Sequence, residues 1–170
     1  LLPDPDVLGL LALMLFHEAR RAARTDDTGE LVRLEDQDRK LWDNATIAEA
    51  NTLLDRAFAG QRIGAYTLQA AIIGVHANTA TAADTDWNQI IALYDLLLRL
   101  QPSPIVQLNR AAAVSMRDGP QAGLALLDAL ATDEALATFH PYRAAGAERL
   151  RQLGDPGAAD RAYVQALHYV

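Results

Sequence analysis

The chain has 170 residues, 51% of them hydrophobic but only 6% aromatic, with a formal net charge of −7 and no cysteine. That length suffices for one well-buried domain or a short helical array. The excess of acid removes any overall attraction to phosphate backbones or anionic membrane surfaces. The lack of cysteine excludes disulfides and thiolate metal sites, as suits a cytoplasmic protein. Ala and Leu dominate and runs of Val, Ile and Thr are few, so an all-α chain is expected.

Pro5 to Arg24 reads as a helix, apolar almost all round in its first half and therefore expected to be buried at its start. The apolar run Val7 to Phe16 is about half the length needed to cross a bilayer, and acids rather than a basic stretch precede it. It reads as neither signal peptide nor anchor. The sequence opens Leu-Leu-Pro without methionine, and a piece of a longer protein is expected. Arg20, Arg21 and Arg24 suit the negative pole of the helix, with a contact surface as the alternative. His17-Glu18 opens like a zinc-protease helix, but Arg21 stands where the second histidine is required.

Thr25 to Gly29 is turn-rich, Glu30 to Leu34 reads as a short extended piece, and the acids there do not match a calcium loop. From Glu35 to Ala59 a long helix or two is expected, with Trp42, Ile47, Ala50, Leu54 and Phe58 as the core stripe and Gly60 as the stop. Asp36 lies at helical neighbour spacing from Arg39 and Lys40. After Gly64 comes an apolar helix ending at Asn78, with His76 in a core or capping position. Asp84 and Asp86 stand where a helix opening at Trp87 needs caps, and Asp86 with Gln89 resembles a capping box. Ile90, Ile91, Tyr94, Leu97 and Leu98 give that helix its stripe, which stops before Pro102. A further helix starts at Pro104 and carries Asn109-Arg110. An arginine beside an apolar helix face must find an acid.

The second half repeats. Gly119 and Gly154 lie 35 residues apart, and Tyr94 and Tyr163 lie 69 apart, about two tetratricopeptide periods. Ala147, Leu150, Gly154, Ala159, Tyr163, Ala166 and Leu167 form the best repeat. The middle one keeps Ala112 and Gly119 but places Leu124 and Asp128 where a small residue and an aromatic are expected. The expected fold is all-α, antiparallel helix pairs in a tetratricopeptide-like right-handed helical array, with a non-repeat helical N-terminal part. Within a single helical domain, residues 1–80 form the N-terminal helices and 84–170 the repeats. No phosphate loop, Ser-His-Asp order or metal spacing is present, and His17, His76 and His140 give no ligand pattern. No catalytic residue, cofactor or metal is assigned, and the chain is not expected to be an enzyme.

Several separated motifs carry a resemblance. They are Leu34-Glu35-Asp36-Gln37-Asp38-Arg39 followed by Trp42-Asp43, the helix from Ala70-Ala71-Ile72 to His76-Ala77, Asp84-Thr85-Asp86-Trp87, Leu93-Tyr94-Asp95, and Pro102-Ser103-Pro104 with Leu108-Asn109-Arg110-Ala111. Together they make the chain similar, over essentially its whole length, to the C-terminal extension of a large group of bacterial extracytoplasmic-function sigma factors. The resemblance implies a tetratricopeptide-like domain that follows the factor's DNA- and polymerase-binding regions, which this chain lacks, and modulates transcription initiation.

The partners so implied are the factor's own N-terminal regions, RNA polymerase through the full-length protein, and a separate regulatory protein. Direct nucleic-acid or membrane binding by this segment is not expected. The interaction surface would comprise Asp36, Gln37, Asp38, Arg39, Trp42, His76, Asp84, Asp86, Trp87, Tyr94, Asn109 and Arg110. Helix starts cluster at one edge of an antiparallel array, so Arg110 is expected to pair with one of these acids in a groove walled by Trp42 or Trp87. The alternative is a small-molecule sensor or residual enzyme with Asp36, Arg39, His76, Asp86 and Arg110 lining a pocket.

Overall fold

The first helix begins because two acids and a proline are arranged to start one. Asp4 Oδ1 accepts the Asp6 N–H at 2.9 Å, Pro5 occupies the first turn, and Asp6 adds negative charge at the positive helix pole. The computed structural model describes residues 4–130. Within them lie six α-helices: Pro5–Ala19 (α1), Asn44–Phe58 (α2), Ala65–Ala77 (α3), Trp87–Leu100 (α4), Pro104–Asp118 (α5) and Pro120–Ala129 (α6). The described residues contain no strand, and the expected extended piece is a single antiparallel bridge between Thr25 and Leu31. The all-α class therefore holds. The last repeat, from Ala147 to Leu167, lies outside the described residues, as do Gly154, Tyr163 and His140.

Two compact units divide the chain, Leu1–Gln89 and Ile90–Val170, with the boundary inside α4. In the first, α1 packs extensively on both α2 and α3, which touch each other much less. The buried face of α1 is Leu8, Ala12, Phe16 and Ala19, with Phe16 wholly enclosed. Gly74 of α3 lets that ring in: a Cβ there would stand 3.3 Å from Phe16 Cζ and 3.6 Å from Leu54 Cδ2 of α2. Lower down, Gly9 meets Thr67 so closely that a Cβ would lie 2.5 Å from the Thr67 backbone nitrogen. The same contact brings Asp6 Oδ1 within 3.1 Å of the Thr67 N–H. α3 has no cap of its own at Gly64, so α1 supplies one in trans.

Three expectations need correction here. α1 is not buried all round: Val7, Leu11 and Met14 are exposed, because α2 and α3 cover one side of it. Glu35 to Trp42 is not helical but makes two 3-10 turns, Leu34–Asp36 and Arg39–Leu41, and α2 starts only where Asp43 caps the Ala45 and Thr46 N–H groups. Phe58 lies at the end of α2 and is exposed, while Ile47, Ala50, Leu53, Leu54 and Ala57 form the buried face.

The second unit holds the rest of α4 with α5 and α6. Gly119, at φ 96°, is the only residue between α5 and α6, and Pro120 restarts the helix at once. Helices joined so tightly fold back on each other as a hairpin. Ser115 and Gly123, each four residues from Gly119, meet at the crossing: a Cβ on Gly123 would lie 2.5 Å from Ser115 Cβ. The small residue needed for close packing is thus Gly123 rather than position 124. Leu108, Ala111 and Leu127 form the core of the hairpin, with Leu126 packed against it.

Candidate functional site

The turns between α1 and α2 bring polar side chains onto the end of α3. Asp38 caps the second 3-10 turn through the Lys40 N–H at 3.0 Å, and this aims Arg39 inward. Arg39 Nη1 donates to the His76 carbonyl, to Thr79 O at 2.8 Å and to Thr79 Oγ1 at 2.9 Å. It therefore caps the C-terminus of α3, where unpaired carbonyls and the helix dipole favour a cation. The Arg39 guanidinium carbon also lies 4.7 Å from the ring centroid of Trp42. A second cation meets the same ring, since Arg20 at the end of α1 places its guanidinium carbon 5.8 Å away. Both distances fall within cation–π range.

The histidines record the resulting field. His76 is pushed down to about 4, chiefly by burial and then by Arg39 and Arg20, so it is neutral at physiological pH. Its ring meets Trp87 edge-on at 5.3 Å and 71°. His17 Nδ1 takes a hydrogen bond from Arg20 Nη2 at 3.1 Å. A guanidinium can only donate, so that nitrogen is bare and the ring neutral, in keeping with a pKa lowered by burial and by Arg20 and Arg24. Burial, Arg24 and Arg39 likewise disfavour the charge of Arg20. Arg39 feels the opposing pulls of burial, which is the larger, and of Asp84.

The structure brings together Arg39, Trp42, His76 and Trp87 from the expected surface, and leaves its acids with local work. Asp36 binds Arg33 at 2.9 Å instead of Arg39 or Lys40, because the turn is not an α-helix. Asp84 accepts from Thr81 Oγ1 at 2.7 Å and does not cap α4; Asp86 does, through the Gln89 N–H at 3.0 Å. Gln37 is buried, with Nε2 donating to the Val32 carbonyl. Arg110 pairs with none of the expected acids. It reaches Asp95, from α5 back to α4, at 2.6 Å, and Asn109 beside it is exposed. Tyr94 is half-buried, and burial pushes its phenol up to about 12.

Sequence reasoning read Arg20 first as a helix-end charge, with a contact surface as the alternative, and did not place it beside Trp42. A signal was present, because Leu8, Ala12, Phe16 and Arg20 follow one another at steps of four along the buried stripe of α1. Thr79, the other acceptor for Arg39, could not be read from a loop of Thr and Ala.

What gathers here is two cations, two indoles and a neutral imidazole, without a carboxylate in contact. The set lacks an acid–base pair tuned for neutral pH. Among the described residues, no three His, Asp or Glu are placed to hold a metal ion. A cleft of about 800 Å³ lies elsewhere in the first unit, lined by Pro5, Leu8, Arg56, Ala59, Arg62 and Ile63 among others. Asp36, Arg39, His76, Asp86 and Arg110 do not line it. Among the described residues, no helix is long and apolar enough to cross a membrane.

The class so defined is an all-α protein with a cationic, aromatic centre at a helix junction. Residues 1–58 match a family of unknown function (DUF6596), a stretch that contains Arg20, Arg39 and Trp42. The chain is 44% identical over 164 residues to an uncharacterized protein of Rhizobium meliloti (strain 1021). That alignment covers 96% of this chain but 38% of the relative, so the chain spans well under half of the protein it resembles. No solved structure matches it.

Proposed function

We propose that the chain is the C-terminal regulatory domain of an extracytoplasmic-function sigma factor, acting in the bacterial cytoplasm by protein contact and not as an enzyme. One observation carries the reading: Arg39, Trp42, His76 and Trp87, drawn from three of the separated motifs that resemble that family, meet at one junction. Arg39 and Trp87 at that junction are only partly buried, and aromatic and arginine side chains are enriched at protein-binding surfaces. A relative more than twice as long leaves room for regions that bind DNA and polymerase. The partners are those regions, RNA polymerase through the full-length factor, and a separate regulatory protein.

Reporter transcription from the full-length factor, with and without residues 1–170, tests this. Loss or deregulation of transcription on deletion is expected. Unchanged transcription under every growth condition that activates the intact factor would remove the regulatory role.

A further inference from the structure

Arg20 carries a charge that the fold does not neutralise. Its side chain belongs to a residue only 7% exposed, yet it makes a single side-chain hydrogen bond, to His17, and its Nε is buried without a partner. Taking a guanidinium out of water is costly unless an anion or a full set of acceptors replaces the solvent. The C-terminus of α1 and the face of Trp42 offset part of that cost. Arg24 and Arg39 add to it, being close enough to disfavour a third cation. Trp42 is 4% exposed and its Nε1–H is a second buried donor without an acceptor.

Most of the acids nearby in sequence are already engaged, and Asp27 and Glu30 are exposed on the turn that follows α1. Glu18 pairs with Arg21, and Glu35 and Asp36 pair with Arg33. Asp26, Asp38 and Asp43 accept backbone N–H groups of their own turns and caps, and Asp84 holds Thr81. A group of donors is thus gathered around one indole, and among the described residues no carboxylate forms an ion pair with Arg20 or Arg39, Asp84 acting on Arg39 without such a contact.

We infer that Arg20 and Arg39, gathered over the Trp42 ring, receive a side-chain carboxylate from an acidic segment of a partner protein, with apolar residues of that segment against Trp87. The inference rests on reading the chain as an interaction domain and names the chemistry of its partner. A duplex fits less well. Phosphate-binding surfaces raise many cations towards a continuous backbone, whereas Arg20 is recessed and the chain as a whole carries −7. One protruding carboxylate, flanked by apolar groups, matches a recessed cation beside indoles.

The test is titration of the 170-residue chain with a short synthetic peptide alternating glutamate and leucine, followed by tryptophan fluorescence and calorimetry. Its controls are the same peptide with glutamine for glutamate, free glutamate, and a duplex oligonucleotide. The glutamate peptide should bind and weaken as salt is added, and the glutamine peptide should bind at least about tenfold more weakly. Arg20→Gln should lose about tenfold in affinity, Arg20→Lys less, and Arg62→Gln nothing. The peptide comparison on the unaltered chain stands even where Arg20→Gln impairs folding. Equal binding of both peptides, binding of free glutamate as tight as that of the peptide, or displacement of the peptide by equimolar duplex would overturn the inference. The deletion experiment is separate: carboxylate-specific binding with unchanged transcription would remove the sigma-factor role and leave the site.

Discussion

His76 shows how a residue's surroundings become a pH response. In the fold its pKa is about 4, against 6.5 for a free imidazole, because burial, Arg39 and Arg20 all oppose the proton. The unfolded chain therefore binds a proton at pH 5 that the folded chain refuses. Above about pH 6.5 both states are neutral there and the group adds no pH dependence; as pH falls from 6.5 towards 4, stability is lost. The shift corresponds to about 3 kcal/mol at full extent. Denaturant melts at pH 7.5 and 4.5 should differ by an amount that His76→Gln reduces, and an identical difference in that variant would refute the assignment. Arg110 shows the opposite case. Its side chain is 28% exposed and that of Asp95 43%, so their ion pair works in water and is worth up to about 1 kcal/mol. Arg110→Ala should lower the melting temperature by only a few degrees, about as much as Asp95→Asn, and a loss of several kcal/mol would mean that the pair is dehydrated.

At the scale of elements, small residues decide how the helices approach. A Cβ on Gly9 would lie 2.5 Å from the Thr67 nitrogen and 2.6 Å from its Cα, and backbone atoms cannot step aside as a side-chain end can. Gly9→Ala should therefore cost about 1 to 3 kcal/mol by overpacking, despite the roughly 1 kcal/mol that alanine gains over glycine within a helix. It should also weaken the cap that Asp6 lends to α3, since the same contact holds both. In the α5–α6 hairpin, Gly123→Ala meets Ser115 Cβ at 2.5 Å and should destabilise likewise. Thermal melts decide both; a rise in melting temperature for either variant would show that the helices part without penalty. The sequence announced α1 and α3 through their apolar runs and α5 through Pro104, but not the pairing of Gly9 with Thr67. Periodicity records which face of a helix is apolar, while the partner across the gap is set by tertiary packing. The same limit explains Phe58, on the expected stripe yet exposed where α2 ends, and the turns from Glu35 to Trp42, whose polar residues suit 3-10 geometry as well as a helix.

At the scale of the molecule, the chemistry of the site was legible and its wiring was not. Arg39, Trp42, His76 and Trp87 stood out as polar or aromatic residues at helix junctions, and they meet. The acids stood out equally, yet Asp36, Asp84 and Asp86 serve their own turns and caps, because a partner two or three residues away costs the chain less entropy than a distant one. Net charge has to be weighed against that same local arrangement. At −7 the molecule repels a polyanion at long range, but Arg20, Arg24 and Arg39 make a positive spot whose field is felt within about 8 to 10 Å at moderate salt. Duplex binding depends on releasing counterions from several phosphates at once. A spot with Arg20 recessed and Arg39 engaged by α3 carbonyls has too few raised cations for that. The chain should therefore leave a labelled promoter duplex unshifted at micromolar protein in about 0.1 M salt, and anisotropy should stay flat as salt is lowered. Affinity that falls steeply with the logarithm of salt concentration would instead show that the arginine spot outweighs the net charge.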